Sequence, residues 1–284
     1  METPSNPLIR TLQVSFDLPI FPRQIPQWRG AFVEFAGIEN DLFHNHKNDE
    51  FDLKTELEMM EASDPSQIST SQEPVASSTP PILLSSSTYH YRYPLIQYRM
   101  RRNHAAIFAI NDGIEALQTT LSSRSWGINW EGEPRQLQIT GMEMNEYHLR
   151  MLARPKTYRL YKWLALNEKN YKAWLACGNL VERIQLLERI LNSHLLAFAR
   201  SVGWRLPERL KVSIKNIQQV SKVRCHNTPL LAFSVTYTAN ALLPPHIALG
   251  KAVSHGFGWQ RPVRLPTANK QREGKSSSRE RETE

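Results

Sequence analysis

Residues 11–18 read TLQVSFDL. Leu12, Val14, Phe16 and Leu18 alternate with Thr11, Gln13, Ser15 and Asp17, a period of two that predicts a β-strand with one buried face. Pro22 and Pro26 then start a short helix, which RGAFVEFAG at 29–37 continues. Gly37 stands where a helix C-cap belongs, because glycine enters the left-handed conformation without steric cost. YRYPLIQYRM at 91–100 reads as a second strand. Pro94 assigns it to an edge or a bulge, since proline cannot donate to a ladder. After Arg101, Arg102 and Asn103, HAAIFAI at 104–110 is a third strand. Asn111 or Asp112 caps a helix reaching about Ser123, with Ile114, Leu117 and Leu121 on one face. Leu137 and Ile139 begin a fourth strand. The order is β-α-β-β-α-β, the ferredoxin-like arrangement that RNA-recognition modules share with many unrelated domains.

The pattern then returns without repeating the residues. Residues 158–166 read as a strand. A long helix follows to about Val202, with Leu180, Ile184, Leu187, Leu191 and Phe198 on one stripe. Val212 and Ile214 begin a strand that turns back near Cys225, His226 and Asn227. Leu231, Phe233, Val235 and Tyr237 alternate with polar or small residues in the next strand. A short helix or turn over 245–253 and a last strand at 261–265 complete the set. The expectation is an α+β chain of two tandem ferredoxin-like domains, 8–150 and 151–265, followed by a disordered tail at 266–284.

Residues 48–88 interrupt the first domain. They are acidic, then rich in Ser, Thr, Gln and Pro, and read as a disordered insertion with a short helix near 53–60. Asp49, Glu50, Asp52, Glu56, Glu58, Glu61, Asp64 and Glu73 face one base, Lys54, so the segment carries −7. The chain as a whole carries +8, which leaves +15 on the rest. A body that basic attracts a polyanion, with nucleic acid the default candidate. Arg92, Arg99, Arg101 and Arg102 fall on or beside one proposed hairpin, and Lys211, Lys215, Lys222 and Arg224 around another. Tyr91, Tyr93 and Tyr98 add candidate stacking surfaces, or core side chains. Two distant cysteines, Cys177 and Cys225, fit a reducing cytoplasm and exclude a cysteine-based zinc site. No apolar run approaches the ~18 residues of a membrane span, and the N-terminus has no apolar signal core.

Two stretches carry candidate chemistry. LFHNHK at 42–47 places His44, His46 and Lys47 just after the first helix. On residues alone, four readings stay open. Two exposed loop histidines are the plainest. A zinc site needs about four ligands, and Asp49, Glu50 or Asp52 offer oxygen donors. HNH nucleases spread their His, Asn and His over a ββα-metal fold, so adjacent letters do not make one. The fourth reading is an acid–base pair, since imidazole titrates near neutral pH. The second stretch is ALGKAVSHGFG at 248–258. Gly250, Gly256 and Gly258 allow close backbone approach, and Lys251, Ser254 and His255 add donors, so the loop suits RNA phosphates. By spacing alone it reads as a tight turn. It lacks the GK[ST] ending of a P-loop.

The second stretch also carries a resemblance. It is similar to the glycine-rich loop G-h-G-x5-G-h-G (h apolar) of the RAMP superfamily of CRISPR-associated proteins. It matches five of the six motif positions, with Ala248 replacing the first glycine. Within that superfamily the chain most resembles the Cas-six family of repeat-RNA-processing endoribonucleases. QIPQWRGAFVEFAG, DLFHNH and YRYPLIQYR in the N-terminal half support this, and the likeness runs from about residue 9 to 265. The resemblance implies metal-independent cleavage of CRISPR repeat RNA, with no cofactor. The 2′-OH beside the scissile phosphate attacks it, leaving a 2′,3′-cyclic phosphate. Many members place a catalytic histidine just after the first helix, which implies catalytic roles for His44 and His46, with Lys47 beside them. Repeat RNA is the implied partner, with room for other CRISPR-associated proteins and none for a membrane. The alternative from another class is a non-catalytic RNA-binding subunit of a CRISPR effector. A metal-dependent DNase is a third reading.

Overall fold

The computed structural model describes residues 6–37, 41–44, 93–122, 126–225 and 228–263. The whole acidic insertion and the whole tail lie outside the described residues. In chain order the elements are β1 (Leu8–Pro19), α1 (Ile25–Ala36), α2 (Asp41–His44), β2 (Ile96–Arg101), β3 (His104–Ile110), α3 (Asp112–Leu121), β4 (Gly127–Trp130), β5 (Glu133–Gln136) and β6 (Ile139–His148). Then come β7 (Arg150–Trp163), α4 (Glu168–Ala176), α5 (Leu180–Ser201), β8 (Val212–Cys225), β9 (Thr228–Leu242) and β10 (Trp259–Pro262).

Two four-stranded antiparallel sheets result, ordered β2-β3-β1-β6 and β10-β7-β9-β8. Numbered within each half, the first order is 2-3-1-4 and the second is 4-1-3-2. These are the same order read from opposite ends, so the two ferredoxin-like patterns are present. One residue, Leu149, separates β6 from β7. Its side chain is buried and its N–H donates to the Pro7 carbonyl at 3.0 Å.

The alternation at Leu12, Val14, Phe16 and Leu18 does place those four side chains in the core beneath α1 and α3. The expectation of a single buried face is corrected, however. Ile9, Thr11 and Gln13, on the opposite side of β1, are buried too. Ile9, Phe108 and Ile110 join the core of the second half, with Tyr158, Leu187, Phe198 and Tyr237. The back of the first sheet is thus covered by the second half, which is why β3 reads as an unbroken apolar run.

Four local features differ from the sequence reading. The long helix is two, α4 and α5, broken at Gly178. Asn179 caps α5 by accepting from the Glu182 N–H at 3.0 Å, and Glu182 accepts from the Gly178 N–H at 2.8 Å. The β4–β5 hairpin was not anticipated. It turns through Glu131 and Gly132, both at positive φ, and Glu-Gly is a weaker turn signal than Asn-Gly. Asn111 precedes α3 but its side chain does not cap it; it accepts from the Arg10 N–H on β1 at 3.0 Å. In the second half the final crossover is not helical. Residues 243–258 form an irregular segment with one 3₁₀ turn, Val253–His255. No helix among the described residues is long and apolar enough to cross a membrane.

His194 on α5 is buried and its Nδ1 accepts from Trp163 Nε1 at 3.1 Å. Burial, with Lys251 second, pushes its pKa from 6.5 down to about 3. The folded chain therefore holds this imidazole neutral while an unfolded chain protonates it, so the unfolded state binds more protons between those values. The contribution is complete above pH 6.5 and is lost as pH falls toward 3. The melting temperature should fall on acidification from pH 7 to 4, and His194→Gln should make that slope shallower. An unchanged slope in the variant would show that His194 is not the group responsible.

Candidate nucleic-acid interface

The paired-histidine stretch is held by its apolar neighbours. α1 presents Trp28 and Phe32 to the first sheet, with Trp28 Nε1 donating to the Ala106 carbonyl at 3.2 Å. Phe32 packs on Phe16, Trp28, Tyr98 and Phe43, at ring separations of 5.9, 5.3, 6.0 and 5.9 Å. Gly37 closes the helix, its N–H donating to the Val33 carbonyl at 3.1 Å. The chain then returns as the single turn α2, where Phe43 is buried and Leu42 packs against both cores. Burying a side chain such as Phe43 contributes roughly 1.5–3 kcal/mol, enough to fix the backbone beside His44, the last residue of α2. His46, Lys47 and Arg92 lie outside the described residues. So do the acids weighed as zinc ligands. Among the described residues no three His, Cys, Asp or Glu side chains come together as a metal site.

The β2–β3 hairpin separates its arginines by role. Arg102 and Asn103 make the turn at φ 48° and 65°, as a two-residue hairpin requires, and Arg102 is exposed. Arg101 is paired with Glu143 on β6 at 2.8 Å, and that bond holds the Glu143 carboxyl below its usual range. Arg99 is a correction to the expected RNA surface. It is buried, with its guanidinium 4.3 Å over the Phe108 ring. Its Nη2 donates to Gln97 Oε1 at 2.8 Å and to the His246 carbonyl at 3.0 Å. Burial lowers its pKa from 12.5 to about 9, which leaves it charged at neutral pH. Tyr93 and Tyr98 are core residues, not stacking surfaces. Lys211, Lys215, Lys222 and Arg224 are exposed along the β8 side of the long hairpin.

The glycine segment is corrected in the same direction. The Gly258 N–H donates to the Tyr161 carbonyl at 3.1 Å, Lys251 N–H to Leu164 at 3.1 Å, His255 N–H to Ala252 at 2.9 Å and Gly256 N–H to Val253 at 3.3 Å. Those amides are engaged inside the protein, and the side chains of Lys251 and His255 are buried. Of the sequence candidates here only Ser254 is part-exposed beside the glycines. The loop is a packing device. A Cβ on Gly250 would stand 2.6 Å from Trp163 Cδ1, and one on Gly256 2.8 Å from Ile25 Cδ1 on α1. Gly258, at φ 69°, has no room at all, because a Cβ there would collide with the Leu249 carbonyl oxygen. Ala248 departs from the glycine pattern without consequence. It bridges Trp259 in extended backbone, and its carbonyl accepts from Tyr93 Oη at 2.7 Å.

Two features escaped the sequence reading. His246, at φ 70°, lies edge-on to Phe108 at 6.5 Å. Burial, then Arg99, Arg261 and Arg101, against Glu143, lower its pKa to about 4. It is a neutral imidazole at pH 7 among three guanidiniums. Next to it, Tyr161 and Trp259 stack across β7 and β10 at 4.3 Å and 16°, with Arg261 4.7 Å over Trp259. The signal was present as alternation: Tyr158 and Leu160 point to the core, so Arg159 and Tyr161 do not.

Comparison with known proteins gives these residues a family. The model of the Cas6b N-terminal domain matches residues 84–148 and that of the Cas6b C-terminal domain matches 150–263. The two matches meet at Leu149 and together span more than half of the chain. A crystal structure of Cas6b superposes with a TM-score of 0.68 at 19% identity, over 90% of this chain and 100% of that one. A crystal structure of the CRISPR RNA processing endoribonuclease Cas6b gives 0.59 at 19% identity, with the same coverage. At that identity both bear on the fold alone. An uncharacterized protein of Methanocaldococcus jannaschii is 28% identical over 96 residues, 34% of this chain and 64% of the relative. The chain thus spans slightly less than two thirds of that curated relative.

Gly258→Ala should destabilise the protein by roughly 3 kcal/mol or more, from left-handed strain plus overpacking. Gly203→Ala, also at positive φ but with open space around it, should cost only about 1–2 kcal/mol. Denaturant unfolding of the two variants tests this; equal losses would mean that the Leu249 contact is not limiting.

Proposed function

Because the chain belongs to the Cas6b family, we propose that it is an endoribonuclease that cuts CRISPR repeat transcripts into guide RNAs. The observation that carries this reading is the place of His44. It ends α2, directly after buried Phe43 and behind the Gly37 cap. A short, anchored backbone is what an acid–base group needs, because catalysis depends on geometry fixed before the reaction.

Cleavage proceeds by attack of the ribose 2′-OH on the adjacent phosphate. The P–O bond to the leaving 5′-oxygen breaks, giving a 2′,3′-cyclic phosphate and a 5′-OH. One of His44 and His46 takes the proton from the 2′-OH and the other gives one to the leaving oxygen. Lys47 stabilises the charge that builds on the phosphorane-like transition state. No metal takes part. Arg102, Ser254 and the exposed bases of β8 supply phosphate contacts, while Arg99 and the glycine backbone keep the RNA surface in shape from inside.

The test uses the purified protein, EDTA and the repeat RNA encoded beside its own gene, with a second RNA carrying one 2′-deoxy substitution at the cut site. The first RNA should be cut and the second bound but intact. His44→Ala and His46→Ala should each lower the single-turnover rate by about 10²–10⁴-fold, with binding nearly unchanged. Tight binding of both RNAs with no cleavage of either would make the chain a non-catalytic RNA-binding subunit instead. Cleavage that needs added metal would overturn the mechanism.

A further inference from the structure

The open face of the second sheet carries a feature that neither the histidines nor the glycine segment uses. In the β7–β10 pairing Trp259 lies opposite Tyr161 and Arg261 opposite Arg159, while Gln260 lies opposite Leu160. Leu160 and Gln260 are wholly buried. Alternation across a strand therefore puts Tyr161, Trp259, Arg159 and Arg261 together on the other face. Both rings are half-buried and both arginines are exposed. The neighbouring positions on that face are polar. Thr236 on β9 faces Arg159 and is bonded by Gln218 of β8, and Ser234 Oγ accepts from the Lys162 N–H at 3.2 Å. The two aromatic rings are thus flat apolar surfaces in a polar, cationic setting.

A cross-strand aromatic pair stabilises a sheet by itself, by roughly 0.2–1 kcal/mol. Three further observations point to a ligand. The rings lie face to face, not edge to face, and a guanidinium continues the column over Trp259. The column stands at the edge where Arg261 joins Arg99 and Arg101 around His246, three guanidiniums against the single carboxylate of Glu143. And the part of the chain outside the acidic segment is strongly basic. Planar π-faces next to excess positive charge match an unpaired nucleotide, whose base stacks and whose phosphate pairs.

We propose that Tyr161, Trp259 and Arg261 form a stacking subsite for an unpaired nucleotide of the bound RNA, on the open face of the second sheet, with Arg159 beside it for a flanking phosphate. A base extends the column by stacking on the outer face of Tyr161, or it takes the place of the Arg261 guanidinium, which then turns to a phosphate. The subsite is sequence-tolerant, because every base has a π-face. It deepens the proposed function by adding a grip on single-stranded RNA, carried on the other sheet from His44, and the identification of the ligand as RNA rests on that reading.

The experiment measures binding of the full chain to a short oligouridine and to the repeat RNA with its cut-site 2′-deoxy substitution, so that cleavage does not enter. Trp259→Leu should weaken oligouridine binding by roughly 5- to 150-fold, the range expected for one stacked base. Trp259→Phe, which keeps a ring, should retain most of the affinity. Arg261→Gln should lower the slope of log affinity against log salt by about one phosphate contact. Thermal melting of each variant separates loss of fold from loss of site. Trp259→Leu that stays folded and binds like the parent overturns the subsite, even if the repeat RNA is cut as proposed above. A parent that binds and never cuts, with Trp259→Leu weakened and Trp259→Phe spared, overturns the cleavage reading and upholds the subsite.

Discussion

The approach of Gly258 to the Leu249 carbonyl is the contact on which the arrangement of the two halves depends. It closes the segment 243–258 into a compact loop, since the Leu249 N–H also donates to the Gly258 carbonyl at 2.8 Å. From that knot the loop reaches both sheets. It ties to β7 and its extension through Tyr161 and Leu164, and to β10 through the reciprocal bonds of Gln260 with His246 and Ile247. It ties to the first half through Tyr93 Oη on the Ala248 carbonyl, Arg99 on the His246 carbonyl and Gly256 against Ile25. Only a residue without a Cβ fits at the centre, which gives the glycines a physical reason that needs no ligand.

Burial of Arg99 follows from the same arrangement. A charged side chain taken out of water is costly unless its donors are used. Here one guanidinium nitrogen bonds a side-chain oxygen of its own strand and a backbone oxygen of the loop, and the plane lies on Phe108. The charge fastens the loop to the first sheet instead of facing solvent. Its field still matters outside. Behind burial, the larger cause, it acts with Arg261 and Arg101 to keep His246 neutral, and it leaves that edge of the molecule positive.

Much of the strand pattern was legible because it is written locally: period-two alternation over Leu12 to Leu18 and Phe233 to Tyr237, and an unbroken apolar run after His104, all lie in strands with the expected side chains inside. What stayed hidden depends on distant partners. Thr11 and Gln13 read as surface, yet both are buried, on the side where Ile9 joins the core of the second half. Gly178 and Asn179 break the helix just before the stripe, whose first residue, Leu180, is exposed. The site divides the same way. That LFHNHK follows the first helix could be read from the sequence, and the resemblance alone attached a catalytic role to it; the burial of Phe43 that anchors the turn shows only in the structure. That the Gly258 amide and Arg99 are internally engaged could not be read, because their partners, Tyr161 and His246, are set by tertiary structure. Tyr161 and Trp259 are 98 positions apart and meet only through the β7–β10 register.

This division has a consequence for the proposed function. The segment proposed for acid–base chemistry is anchored in the first core by Phe43 and between the two cores by Leu42, whereas the aromatic column and the exposed bases of β8 belong to the second sheet. An RNA held by the second sheet reaches the histidines correctly only if the two sheets keep a fixed separation. Displacing a reacting group by about 1 Å can cost on the order of 10²-fold in rate. A one-residue connection at Leu149 leaves little slack on one side, and the knotted loop fixes the other. On the proposed function, the engaged backbone of the glycine segment would serve cleavage from inside the protein, by holding the second sheet at a set distance from the turn that carries His44.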